Sequence, residues 1–413
     1  MNASTNVIGY MSRAPVLVSI KPSVFFWLLD KSGWTIPEIA SKIEYDETEI
    51  QKWKKENETI KIPLSKVEIV SKTIKRPLSA FLMARPPPEL RLPQDFRKLA
   101  ETPQGEIPTY TKETLLAFRK ATRLQEVANE LLKNIGAPQR VELPNYTILD
   151  NFEEKAEIER LKSGISIEMQ IKWSNPTNSY NVWREWLASQ GIFVFQFDIP
   201  LEDARGFSLI ESDPKIIVVS KNDAIRGRIF SLFHEYAHIL LREFAICNMD
   251  SDTSTNSEVA RIENWCNNFA GSFLLPKDEI VREFEVFSSG NNNFMKFLED
   301  RSKRYKTSSE SILVRLKFLN LIKYPFYLAI KENIRSAIRE KKLKEKEERE
   351  ARKAKGIETP FRQDPKNKTV WTDRGINFVS LVLENSNRGY ITERDVMDIL
   401  DLRIDHLVKL LQQ

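Results

Sequence analysis

The sequence predicts an α+β chain that is mainly helical, with a small three-stranded sheet packed on one strongly apolar helix, a helix-turn-helix bundle before it and a small helical domain after it. Three observations carry this: helical periodicity over most of the length, a cluster of β-branched and aromatic runs between Gly191 and Ser220, and two breaks in periodicity, one proline-rich and one densely charged. With 413 residues and 41% hydrophobic content, the chain is long enough for two or three domains, each with its own core. Lys and Arg number 63 against 58 Asp and Glu, and a net charge of +5 is too mild to imply nucleic-acid binding by itself. Any basic patch has to be local. The two cysteines, Cys247 and Cys266, are too few for a disulfide framework or a cysteine-rich zinc module and suit a reducing compartment; a bond between them is the less favoured reading. No basic segment followed by an apolar run opens the chain, and no stretch approaches the roughly 20 apolar residues that span a bilayer. The expectation is a cytoplasmic protein with no membrane partner.

The elements follow in order. "SVFFWLLDKSG" places Val24, Trp27 and Leu28 at helical spacing and stops at Gly33. "TIPEIASKI" opens with Thr35 three residues before Glu38, the pattern of a capping box, and "DETEIQKW" repeats it with Asp46 and Glu49 before a helix that buries Ile50 and Trp53. The periodic "LSKVEIVSKTIKRPLSAFL" completes the bundle. "RPPPELRLPQDFRKL" then reads as a linker, since consecutive prolines donate no hydrogen bonds and hold the chain extended. "KETLLAFRKATRLQEVANELLKNIG" and "SYNVWREWLASQG" are helices ended by Gly136 and Gly191. "GIFVFQFDI", "GFSLIES" and "KIIVVS" read as three strands, antiparallel given their short connections. A long apolar helix, a polar loop and the helix "EVARIENWCNNFAGSFLL" come next. "RSAIREKKLKEKEEREARKAK" alternates charge with Glu340 four residues before Lys344, as in a solvated spacer helix. The predicted division is a bundle over residues 1–85, a linker over 86–112, a central domain over 113–330, the spacer over 331–356 and a helical domain over 357–413.

The chemistry lies in "FSLFHEYAHILL", which carries two of the three histidines. On a helix His234 and His238 lie about 40° apart, so both imidazoles can face one metal ion, with Glu235 beside it. Neutral imidazole suits zinc, the metal acidifies a water, and an adjacent carboxylate takes its proton. Buried core histidines are the bland alternative, but with only three histidines this pattern arises by chance in on the order of one sequence in a thousand. A third protein ligand is required. A third histidine six residues on is excluded by Phe244, and His406 is far along the chain, so a carboxylate is needed. On the following helix Val259, Ile262, Cys266, Phe269, Ala270 and Phe273 form the apolar stripe, with Glu263 at its edge. A carboxylate there has to be paired or metal-bound, which favours Glu263 over its rivals Asp250 and Asp252 in the polar loop. Tyr236 is a candidate oxyanion stabiliser or a packing residue. Arg226 and Arg228 mark either a cleft entrance or a solvated helix start.

"RIFSLFHEYAHILL" followed by "IENWCNNFAGSFLLP", with the strand "IIVVS" before them, resembles the ImmA/IrrE family of zinc metallopeptidases. The N-terminal helices leading into "PPPELRLPQDFR" are similar to the XRE-like helix-turn-helix domain of longer members, and "RGYITERDVMDILDLRIDHLVKL" looks like their C-terminal region. The resemblance implies a minimal zincin-like metallopeptidase domain, zinc (or manganese) held by His234, His238 and Glu263, and Glu235 as the catalytic residue. It also implies a protein substrate, a helix-turn-helix repressor whose cleavage derepresses phage, mobile-element or stress genes. Cys266 stands where the family usually has alanine, which leaves a core role against a ligand role, and Ser220 where an asparagine is frequent. Two rival readings remain: a DNA-binding regulator in which the fold acts as a sensor, and a toxin-antitoxin or phage-defence component that binds without cutting.

For DNA, the candidate contacts are Gln51, Lys52, Lys54 and Lys55, since a recognition helix needs amide and basic side chains for base edges and phosphates. Asp46, Glu47 and Glu49 lead the same helix, and between Lys21 and Arg85 there are 12 basic and 9 acidic residues, a small surplus. A docking role for the bundle, recognising a repressor of the same fold, is the competing expectation.

Overall fold

The fold is that of a computed structural model, which describes residues 15–56, 58–86, 110–137, 142–242, 256–290, 293–354 and 366–411. The chain divides into two units, residues 1–92 with 107–118 and residues 93–106 with 119–413.

The first unit contains β1 (Leu17–Ile20), α1 (Pro22–Asp30), α2 (Ile36–Ile43), α3 (Glu47–Trp53), β2 (Ile60–Pro63), α4 (Leu64–Ile74) and α5 (Leu78–Phe81). Pro22 opens α1 where an N–H would have no helical partner, and Val24, Phe25, Leu28 and Leu29 form the buried face. At the start of α2 the backbone N–H of Thr35 donates to Glu38 Oε2 at 3.0 Å, as a capping box requires. At the start of α3 Asp46 Oδ1 accepts from the Thr48 N–H at 2.8 Å. Two features differ from expectation. β1 and β2 pair antiparallel, Ile20 opposite Ile60, because strands of four residues have too few alternations to be read from pattern. The periodic stretch after Pro63 is two helices, because Lys75 takes a left-handed conformation at φ 55° and Pro77 follows it.

α6 (Lys112–Asn134) begins in the first unit and continues in the second. Most of the expected linker, residues 87–109, lies outside the described residues. The second unit goes on through α7 (Phe152–Ser163), α8 (Ile167–Lys172), α9 (Pro176–Ser189), β3 (Ile192–Phe197), β4 (Gly206–Leu209), β5 (Lys215–Ser220) and α10 (Ile225–Leu240). After α10 come α11 (Asn256–Leu274), α12 (Lys277–Ser288), α13 (Phe294–Tyr305), α14 (Ser309–Phe318), α15 (Tyr324–Ala354), α16 (Lys366–Arg374), α17 (Ile376–Asn387), α18 (Glu393–Leu400) and α19 (Ile404–Leu411).

The three strands at the centre form a mixed sheet in the order β3-β5-β4, which corrects the all-antiparallel expectation. β4 and β5 are antiparallel, Phe207 opposite Val218, but β3 and β5 run parallel, Val194 opposite Ile217. The segment between β3 and β4 is long enough to carry the chain past the place that β5 later fills. Ile216, Ile217, Val218 and Val219 are consequently buried on both faces, as in a central strand. β5 is therefore a central strand and β4 lies outside it, with all four β4 residues buried and the Leu209 carbonyl accepting from Gln125 Nε2 at 3.4 Å.

α10 packs against β4 and β5 on one side and against α9 and α11 on the other. Trp183, Trp186, Phe233 and Phe273 meet between these helices, with the Phe233 and Phe273 rings stacked at 4.0 Å. The expected boundary at residue 330 falls inside α15, whose Tyr327, Ile330 and Ile334 join the same core before the helix becomes solvated. α16 is tied to β3: Arg184 of α9 and Gln196 of β3 both donate to the carbonyl of Thr372. No helix among the described residues is long and apolar enough to cross a membrane.

Candidate metal centre

α10 begins at a turn organised by Asp223, whose Oδ1 accepts from the Ala224 N–H at 2.8 Å and whose Oδ2 accepts from Arg205 Nη1 at 2.9 Å. A Cβ on Gly227 would come within 2.5 Å of that carboxylate, so the turn needs glycine for space. Arg228 donates to Gln196 Oε1 at 2.6 Å and to the carbonyls of Asp223 and Lys221 at 2.8 Å, fixing the helix start to the ends of β3 and β5. It is a tie between elements, neither a free cleft arginine nor a solvated one. Arg226 is partly buried on the same turn.

His234 and His238 follow two and three turns on. Both are buried, and their Nε2 atoms lie 3.0 Å apart. Glu263 of α11 completes the group: Oε2 is 3.4 Å from His234 Nε2 and Oε1 is 3.3 Å from His238 Nε2. All three donors lie within 4.8 Å of one another. Ligands placed tetrahedrally about 2.0–2.2 Å from zinc are separated by roughly 3.3–3.6 Å, so the donors stand nearly at the edges of such a tetrahedron, and two nitrogens with one carboxylate oxygen suit zinc. The Glu263 side chain keeps 27% exposure, whereas the two histidines are almost fully enclosed. Burial pushes the Glu263 carboxyl up, but the two imidazoles beside it, His234 foremost, outweigh it and hold it below the usual carboxylate range.

Glu235 is buried at 1% exposure beside this group. Its carboxylate faces β4, where a Cβ on Gly206 would lie 3.4 Å from Oε1. Tyr236 points elsewhere: its hydroxyl donates to Glu159 Oε2 at 2.7 Å, and burial first and Glu159 second raise its pKa far above the usual phenol range. The packing alternative for this tyrosine is the one realised.

α7 is the element whose role the sequence reading did not anticipate. Glu159 accepts from Tyr146, Tyr236 and Lys162, each at 2.7 Å. Glu153, one and a half turns earlier, accepts from Arg315 and from Ser272 Oγ, while Arg315 Nε holds the carbonyl of Leu275 at 2.9 Å. α7 thereby braces both ligand-bearing helices, α10 and α11. The signal was present locally, in the Asn151 cap and the Gly164 stop.

Cys266 is fully buried in the core, and the metal-binding group found among the described residues contains no cysteine. Asp250, Asp252 and Cys247 lie outside the described residues. Of the four side chains expected to reach DNA, only Gln51 and Lys52 are on α3, while Lys54 and Lys55 follow its end. Gln51 Nε2 donates to Glu47 Oε1 at 2.8 Å and Lys54 sits 5.3 Å over the Phe26 ring, so two of the four already have intramolecular partners.

Residues 187–317, from the end of α9 into the last turn of α14, match the model of the IrrE N-terminal-like domain, a peptidase family (M78). The match covers less than half of the chain and includes His234, Glu235, His238 and Glu263. It supports a metallopeptidase domain of ImmA/IrrE type in that stretch. No curated protein and no solved structure matches the chain.

Proposed function

We propose that this chain is a zinc-dependent endopeptidase of the ImmA/IrrE type whose substrate is a helix-turn-helix repressor. The observation that carries the reading is the convergence of two imidazoles and one carboxylate with a second, buried carboxylate beside them. His234, His238 and Glu263 would hold the ion, and the chemistry supplied by zinc when bound is Lewis acidity toward a peptide carbonyl and acidification of water. Glu235 takes the proton from the attacking water and delivers it to the leaving amine. The low polarity around α10 strengthens each of these interactions.

The first unit fits substrate docking better than DNA contact, since Gln51 and Lys54 are engaged within the protein and three acids stand at the start of α3. The deciding experiment incubates the purified chain, with zinc or manganese, with the helix-turn-helix protein encoded beside its gene, comparing wild type with Glu235→Gln. Cleavage by wild type alone is the expected result. Cleavage by both points to a contaminant, and cleavage by neither leaves the site as a binding module and overturns the proposal.

A further inference from the structure

Gly206 is the first residue of β4, and its backbone is not in the left-handed region, so conformational freedom does not explain a glycine there. Space does. A Cβ at this position would lie 2.7 Å from the carbonyl oxygen of Val218 in β5, and 3.4 Å from both Cγ and Oε1 of Glu235. The first distance is closer than real Cβ atoms approach a backbone oxygen, and a backbone atom cannot swing aside as a side-chain tip can. Any larger residue has to push β4 away from β5. The same Cβ would stand in ordinary contact with Glu235, so a displacement of β4 forced by the Val218 carbonyl moves the surface beside that carboxylate.

We propose that Gly206 is a positioning residue for Glu235: the missing side chain lets β4 sit tightly on β5 and forms the wall that holds the carboxylate in its working orientation. The inference rests on the peptidase reading and deepens it by naming what aims the base. Glu235 is buried, and the place a Gly206 Cβ would take lies 3.4 Å from its Cγ and Oε1, so β4 at Gly206 forms part of the surroundings of the carboxylate. Successive strand residues face opposite sides, which directs Phe207 away from Glu235 and makes it the natural control.

The test compares the full chain carrying Gly206→Ala with Phe207→Leu. Gly206→Ala is expected to keep its zinc and lower kcat by about 10- to 100-fold, the cost of a displacement of about an ångström at a catalytic group, with little change in KM. Phe207→Leu is expected to lower thermal stability yet leave kcat within about twofold, since it alters the far face of the same strand. A readout independent of cleavage is amide exchange in peptides covering residues 206–209 and 215–220, which Gly206→Ala should accelerate. An unchanged kcat in Gly206→Ala, an equal loss in Phe207→Leu, or unchanged exchange each overturns the inference. Failure of the peptidase reading is distinguishable, because wild type and Glu235→Gln would then be alike while the exchange result still decides the contact.

Discussion

The hydroxyl of Tyr236, the residue directly after the candidate base, donates a 2.7 Å hydrogen bond to Oε2 of Glu159 on α7. One residue along α10 turns the side chain by about 100°, so the neighbour of a carboxylate aimed at the sheet is aimed into the helical layer. Tyr236→Phe removes a donor from a buried carboxylate that keeps two others, and should cost about 1–3 kcal/mol of stability by denaturant unfolding. Its kcat should stay close to wild type. A large kcat loss without a stability loss would return Tyr236 to the oxyanion role.

The donor group makes a prediction that separates binding from chemistry. Metal analysis of the purified protein should find about one zinc per chain, lost in His234→Ala, His238→Ala and Glu263→Ala. Glu235→Gln should retain the metal and lose about 10²- to 10⁴-fold in cleavage rate. Retention of full zinc content in Glu263→Ala would reassign the third ligand to a residue outside the described set.

Arg315 is 1% exposed and ion-paired with Glu153, which is 29% exposed, while also holding Ser272 and the end of α11. Arg315→Met removes one partner of a largely buried pair and should destabilise the second unit by about 3–5 kcal/mol in urea titration. Pairing it with Glu153→Gln should recover part of the loss, because no uncompensated charge remains.

The first unit should carry an acid-sensitive contact. A hydrogen bond from Lys112 and another from the Thr35 backbone bring the Glu38 carboxyl down to about 2 from its ordinary 4.5. A folded-state pKa below the unfolded one stabilises above about pH 4.5, and the contribution drains away as pH falls toward 2. Amide exchange over Ile36–Ile43, compared between wild type and Glu38→Gln at each pH, should differ at pH 6 and converge near pH 2. Equal exchange at pH 6 would show that the exposed pair is screened out.

Much of the candidate centre is legible in the sequence because it is local. His234, Glu235 and His238 share two turns of one helix, and periodicity alone brings the histidines together. Glu263 was legible by a second local signal, a carboxylate at the edge of an apolar stripe, though nothing local says that α11 crosses α10 at that level. The braces were not legible in the same way: Glu159 reaches Tyr236 and Glu153 reaches Arg315 across long separations, and ordinary helix-surface glutamates look identical in sequence.

What the amino-acid order determined by itself, then, is the principal helices with several of their caps and stops, and the pairing of two imidazoles with a carboxylate between them, since each depends on contacts within a few residues. Only the tertiary structure decided the strand order, the parallel pairing of β3 with β5, the third donor's reach and the fit of Gly206 against Glu235. Those depend on which backbone surfaces meet, and a hydrophobic pattern specifies that a face is buried without specifying what buries it.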